Sequence, residues 1–211
     1  MDATTFRAWI SEAAKLVVDN ASHLTHLDAA IGDADHGINL RRGFQAAVAM
    51  LEEADPATPG AVLATVGRAL ISKTGGASGP LYGTGFRAAA KTLGEDVDIN
   101  AVQLGDALRA ALAGIQQLGA ASEGDKTMVD ALTPAVSAYQ AVIDTGGDLA
   151  GATRAAADAA ARGLQETIPL QARKGRASYL GARTVGHEDP GAASTTLILE
   201  ALATVTAGAS E

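Results

Sequence analysis

Asp28, Asp33 and Asp35 stand at spacings of five and two in the stretch Leu27-Asp28-Ala29-Ala30-Ile31-Gly32-Asp33-Ala34-Asp35-His36-Gly37-Ile38-Asn39. Carboxylates this close repel one another and need a counter-charge. Gly32, Ala34 and Gly37 let the backbone turn tightly, so the three acids are expected to converge on one point. An all-oxygen ligand set suits a hard divalent cation, magnesium rather than zinc. A calcium-binding EF-hand is excluded. With Asp33 and Asp35 at its first and third positions, Gly37 would fall at position five, and position twelve, which needs a bidentate Glu, would be Phe44. Helix caps or solvated loop residues are the ordinary alternative, but caps do not need three carboxylates so close together. His36, beside such a site, is expected to donate to phosphate or to orient an Asp.

Three further segments carry chemistry. Gly75-Gly76-Ala77-Ser78-Gly79-Pro80 is a side-chain-poor turn leading into a helix, with Ser78 as its expected cap. Backbone amides and a helix dipole at such a turn can cradle an anion, although an ordinary glycine-rich connection reads the same way. In Gly124-Asp125-Lys126-Thr127-Met128-Val129-Asp130, Thr127 is expected to cap a helix and Asp130 to complete a capping box. Lys174-Gly175-Arg176-Ala177-Ser178-Tyr179-Leu180-Gly181 offers Arg176, whose planar guanidinium suits phosphate. Two familiar phosphate motifs come close and miss. Gly32-x-x-x-x-Gly37 is followed by Ile38-Asn39 where a P-loop needs Lys and a hydroxyl, and Gly83-x-Gly85-x-x-Ala88 lies inside a helical pattern with no strand before it.

The elements that must position these residues read as helices. Phe6, Trp9-Ile10, Ala13 and Leu16-Val17 recur at helical spacing and predict a first helix ending near Ser22. Seven more are predicted over Asn39 to Ala54, Pro59 to Lys73, Pro80 to Leu93, Ala101 to Leu118, Val129 to Asp144, Leu149 to Glu166 and Pro190 to Thr206. Thr58-Pro59 and Asp189-Pro190 mark helix starts, and Gly94, Gly119 and Gly146-Gly147 mark helix ends. No run of β-branched or aromatic residues alternates with period two. The fold class is therefore all-α, with about eight antiparallel helices, interrupted by polar segments at 28 to 38, 74 to 79, 119 to 127 and 173 to 191. Alternate connections in such a bundle lie at the same end, where function is expected.

Composition narrows the classes. The 211 residues are read as one domain, 47% hydrophobic but 3% aromatic, which favours close packing through small side chains. A formal charge of −8 makes nucleic acid an unsuitable partner. The absence of Cys removes disulfides and thiolate chemistry and fits a cytoplasmic address. The N-terminus shows no secretory pattern, and the apolar stretch Gly191 to Ser210 contains Glu200 and several hydroxyls, so it is expected to be a buried helix rather than a membrane span.

Taken together, Ile31-Gly32-Asp33-Ala34-Asp35-His36-Gly37, Gly75-Gly76-Ala77-Ser78-Gly79, Gly124-Asp125-Lys126-Thr127-Met128, Gly175-Arg176-Ala177-Ser178-Tyr179-Leu180-Gly181, and Gly186-His187 with Asp189-Pro190-Gly191 resemble the L subunit of dihydroxyacetone kinases, in order and from end to end. The resemblance implies a closed barrel of eight antiparallel helices holding ADP or ATP at one end, with two Mg2+ ions on Asp28, Asp33 and Asp35. It implies phosphate contacts from His36, Gly37, Ile38 and Asn39 and from Ala77 and Ser78. Gly119, Thr127, Met128, Arg176, Asp189, Pro190 and Gly191 would line the nucleotide pocket, Arg176 joining the aspartates in catalysis. The family often has Gly where this chain has Ala34. A separate K subunit would carry dihydroxyacetone, and an M subunit would recharge bound ADP from a phosphohistidine; whether two copies of the chain pair stays open. Other readings also stay open: a nucleotide subunit serving another small keto sugar, and a non-catalytic helical bundle holding a nucleotide or lipid to regulate a partner.

Overall fold

The structure, a computed structural model, describes residues 1–208. Among the described residues there are nine α-helices and no strand: α1 (Ala3–Asp19), α2 (Ala21–Ile31), α3 (His36–Ala54), α4 (Pro59–Lys73), α5 (Ser78–Leu93), α6 (Ala101–Gly119), α7 (Met128–Asp144), α8 (Leu149–Glu166) and α9 (Pro190–Ala207), with a 3-10 segment at Arg176–Thr184 before α9. Each of α3 to α8 packs on the next in sequence, while α1 packs on both α3 and α9. Eight helices thus close into a ring, and α2 is an extra element lying against α3 and α9. None of the described helices is long and apolar enough to cross a membrane.

The helix that sequence periodicity misses is α2. The first helix stops at Asp19 rather than Ser22, because Asn20 leaves helical geometry and both its backbone and side-chain N–H groups bond back to the Leu16 carbonyl, at 3.0 and 2.8 Å. The buried positions of α2 are Ala21, Leu24, Asp28 and Ile31, a regular helical stripe in which a carboxylate takes one apolar slot. That substitution disguises the period. Asp28 consequently sits on the last turn of a helix, and the polar segment expected over 28 to 38 shrinks to residues 32–35.

Small residues set the helix spacing. The buried stripe of α8 is Ala152, Thr153, Ala156, Ala157, Ala159, Ala160 and Gly163. A Cβ on Gly83 would come within 2.8 Å of the Gly67 carbonyl, so the glycine that mimics a dinucleotide motif serves the close approach of α4 and α5. Aromatic residues are few and central: Trp9 meets Phe6 edge-on with ring centroids 5.8 Å apart and donates its indole N–H to the Ile198 carbonyl. The apolar stretch expected to be buried is α9, with Ile198, Leu199 and Leu202 in the core; residues 209 and 210 of that stretch lie outside the described residues.

Gly37 illustrates the constraint at the α2–α3 contact, where an added Cβ would stand 2.0 Å from the Ala21 carbonyl oxygen. Gly to Ala normally stabilises a helix interior by about 1 kcal/mol. Gly37→Ala is expected to do the reverse and lower the unfolding free energy by roughly 1–3 kcal/mol, as overpacking does. The midpoint of urea unfolding checks the sign.

Candidate metal centre and nucleotide cleft

Four connections, 32–35, 74–77, 120–127 and 167–189, lead into the N-termini of α3, α5, α7 and α9. Residues from all four line one cleft of about 490 Å3. Helix N-termini carry partial positive charge and unpaired amides, so this end of the ring is suited to anions. The four ends are not equivalent. α7 and α9 are capped by Thr127 and Asp189, whereas neither α3 nor α5 has a side-chain bond from its own cap residue. The expected cap Ser78 is in fact the first residue of α5, and its hydroxyl donates to the Gly75 carbonyl. That leaves the α5 amides at Ala77–Ser78 without a competing side chain.

At the start of α3 the missing cap is replaced by Asp28, whose Oδ2 accepts from the backbone N–H groups of Asp35 at 2.8 Å and His36 at 3.1 Å. Gly32 permits this: a Cβ there would come within 2.0 Å of Asp28 Oδ1. Ala34 turns the chain with a left-handed φ of 62°, a region that glycine enters most readily. Asp28, Asp33 and Asp35 each bring one carboxylate oxygen to within 4.8 Å of the others. Such a set of clustered hard oxygens fits a divalent cation such as Mg2+. Arg176 Nε lies 2.9 Å from Asp33 Oδ2, on a side chain that remains 71% exposed.

His36 lies against this cluster, and its Nε2 is 2.9 Å from Ser194 Oγ. Burial holds the imidazole below its ordinary pKa, against the opposing pull of Asp28 and Asp35, which favours the neutral ring. Ser194 continues into a buried network: its hydroxyl is 2.7 Å from Tyr82 Oη, which is also 2.9 Å from Thr195 Oγ1. Burial pushes the Tyr82 phenol far above its usual range, so it acts as a neutral hydrogen-bonding group.

Of the residues singled out from sequence, Asp28, Asp33, Asp35, His36, Ala77, Ser78, Gly119, Thr127, Met128, Arg176, Asp189, Pro190 and Gly191 line the cleft. Gly37, Ile38 and Asn39 do not. Gly37 is spent on packing against α2, Ile38 is 48% exposed on the outside, and Asn39 is buried behind the turn at Gly75, accepting from Arg42 at 3.0 Å. Gly119 closes α6, while the left-handed terminating residue is Ala120, with a φ of 46°.

Sequence reasoning missed the apolar wall of the cleft, Ile31, Leu81, Ile115 and Leu118. Leu81, Ile115 and Leu118 read as ordinary positions of their helices, and Ile31, though part of the aspartate motif, lies on a helix that periodicity did not reveal. It also missed Tyr82, Ser194 and Thr195, whose hydroxyls converge from two helices distant in sequence.

The capping box at Thr127 is as expected, with Asp130 accepting from the Thr127 amide at 2.7 Å. Asp189 caps α9 through the Ala192 amide at 2.7 Å. Burial pushes its carboxyl up to about 7; the Ala192 amide opposes the rise, Asp130 adds to it and the Lys126 ammonium counters it.

A family model for the DAK2 domain matches residues 30–204. The ADP-binding subunit of the phosphoenolpyruvate-dependent dihydroxyacetone kinase of Escherichia coli is 39% identical over 92% of this chain and 93% of its own length. The chain belongs to the DAK2 family. A Lactococcus lactis relative, the ADP-binding subunit of a dihydroxyacetone kinase dependent on the phosphotransferase system, is 36% identical over 94% of this chain and 95% of its own. The crystal structure of the C. freundii dihydroxyacetone kinase in complex with AMP-PNP and Mg2+ superimposes with a TM-score of 0.74 at 27% identity, covering 97% of this chain and 34% of that longer one. The helical bundle is thus that of a dihydroxyacetone kinase, a phosphotransferase.

Asp189 gives this DAK2 chain a testable pH signature. A carboxyl with its folded pKa raised to about 7 contributes stability that is fully present below about pH 4 and lost as pH rises through 7. Asp189→Asn keeps the cap acceptor and removes the titration. The unfolding free energy of the wild type relative to this variant is expected to fall between pH 4 and 7. Parallel stability curves from urea titrations would contradict it.

Proposed function

We propose that this chain binds ADP or ATP with two Mg2+ ions in the cleft and is the nucleotide subunit of a dihydroxyacetone kinase. The phosphoryl acceptor, dihydroxyacetone, is carried by a separate K subunit, and bound ADP is recharged from a phosphohistidine on an M subunit. The observation that carries this reading is the meeting of three carboxylate oxygens within 4.8 Å of one another in a cleft that also holds the start of α5, which has no side-chain cap. The relatives named as ADP-binding subunits match the chain nearly end to end.

In this reading Asp28, Asp33 and Asp35 hold the metal. When bound, Mg2+ supplies charge neutralisation at phosphate oxygens, the main requirement of phosphoryl transfer. The free amides at the start of α3, those of Gly37 and Ile38, contact phosphate together with those of Ala77 and Ser78, while His36 contributes its ring. Ile38 does so through its backbone, since its side chain points away from the cleft, while Asn39, whose amide is donated to the Asp35 carbonyl at 2.9 Å, supports the site from behind the turn at Gly75. His36 donates to phosphate from a neutral ring fixed by Ser194. Arg176 pairs with Asp33 through Nε and presents the rest of its guanidinium to developing charge. Gly119, Thr127, Met128 and Asp189-Pro190-Gly191 line the nucleotide pocket, and Leu81, Ile115 and Leu118 offer an apolar wall for the base. The chain acts as one domain over residues 1–211, in the cytoplasm.

A second acceptor is favoured by one finding. An L-erythrulose kinase of Pectobacterium atrosepticum is 34% identical over 94% of this chain, which spans 34% of that protein. The same nucleotide module therefore suits other small keto sugars, and the acceptor is chosen by the partner.

Asp33→Ala and Asp35→Ala are each expected to weaken Mg-ADP binding more than tenfold, because contacts to charged groups are worth about 1.5–3 kcal/mol. Wild-type affinity by calorimetry in either variant would refute the metal assignment. The isolated chain, given ATP and dihydroxyacetone, is expected to form no appreciable dihydroxyacetone phosphate, and a K subunit to restore turnover. Robust product formation without a partner would put the acceptor site in this chain.

A further inference from the structure

Lys126 has no part in the chemistry just described, yet it lines the cleft and its side chain is among the most buried in the protein, at 1% exposure. It stands one residue before the cap of α7, on a backbone held at a left-handed φ of 61°. Its ammonium crosses to the other side of the cleft wall and donates to two backbone carbonyls of the α8–α9 connection, Thr167 at 2.6 Å and His187. Those two residues sit at opposite ends of that connection, Thr167 just after α8 and His187 just before the Asp189 cap.

Thr167 is the hub. Its carbonyl accepts from Lys126, while its hydroxyl accepts from the Asp189 amide at 3.0 Å. The Gly186 amide donates to the Ile168 carbonyl at 2.8 Å, and the Arg173 amide to the Asp125 carbonyl at 3.0 Å. The two connections are therefore stitched together at several points, with the Lys126 ammonium as the central cross-link. The cost of burying it is offset by Asp189 and Asp130, which counter the effect of burial on its proton. Both acids are tied to helix starts: Asp130 holds the Thr127 amide, and Asp189 holds the Ala192 amide. The spacing between those starts is tight, since a Cβ on Gly191 would lie 3.3 Å from the Met128 nitrogen.

We infer that Lys126 is a positioning residue: its ammonium cross-links the α6–α7 connection to the α8–α9 connection and so fixes the α7 and α9 N-termini at the spacing the bound nucleotide requires. The inference rests on the proposed nucleotide reading and adds a residue that touches neither metal nor phosphate in it. A single mobile connection would let one helix start drift relative to the other. A buried cation with two carbonyl acceptors prevents this because the ammonium, on leaving them, would itself remain buried without a hydrogen-bond partner.

The test uses Lys126→Met, which keeps the apolar stem and removes the ammonium, and Lys126→Gln, which can reach at most part of the acceptor set and serves if the methionine variant does not fold. Mg-ADP affinity is measured by calorimetry and amide exchange by mass spectrometry on the ligand-free chain. Either variant is expected to bind Mg-ADP at least tenfold more weakly. Exchange is expected to accelerate at Gly186 and Asp189 while α4 and α5 keep wild-type protection. Wild-type affinity in a folded variant, or protection lost evenly along the chain, would overturn the inference. The wild type is titrated in parallel. Failure of the wild type itself to bind Mg-ADP would instead refute the nucleotide reading, leaving the cross-link to be judged on exchange alone.

Discussion

Three carboxylates held within 4.8 Å of one another need concentrated positive charge beside them. The protein alone supplies too little. α7 and α9 spend their positive ends on Thr127, Asp130 and Asp189, so what remains is the start of α3, already engaged by Asp28, and that of α5, worth about half an elementary charge each. With Arg176 this approaches two positive charges against three negative ones, before any phosphate is added. In the proposed reading a divalent cation closes that deficit, and phosphate is then held at the same end of the ring. The closed ring brings alternate helix starts to one place.

Much of this was legible in the sequence because it is local. Thr127 with Asp130, Thr58 with Pro59, and Asp189 with Pro190 act within one helical turn, and their caps appear as expected. The convergence of Asp28, Asp33 and Asp35 was also readable, since Gly32, Ala34 and Gly37 let the chain turn tightly between and beside them. What stayed hidden is non-local or disguised. Asp28 occupies a core-facing slot of α2 and so erased the apolar period that would have revealed that helix. Ser78 reads as a cap by type, but the turn places Ala77 at the boundary. The Tyr82–Ser194–Thr195 network and the Lys126 cross-link join residues far apart in the chain, and no spacing rule reports them.

The same distinction separates the residues that meet ligand from those that hold the cleft in shape. Gly37, singled out for phosphate, does its visible work against the Ala21 carbonyl. Asn39 sits behind the turn at Gly75 rather than in the cleft. Conversely, Lys126 and Tyr82, read at first as part of a motif and of a helix, support the walls on which helix ends and His36 are mounted.

The central claim is that nucleotide and divalent cation bind as one unit, because each offsets charge that the other leaves exposed. Calorimetric titration of ADP into the wild-type chain, first with saturating Mg2+ and then in EDTA, measures this directly. The account predicts that affinity collapses without the metal. Equal affinity in both conditions would mean that the three carboxylates and the nucleotide have no common site.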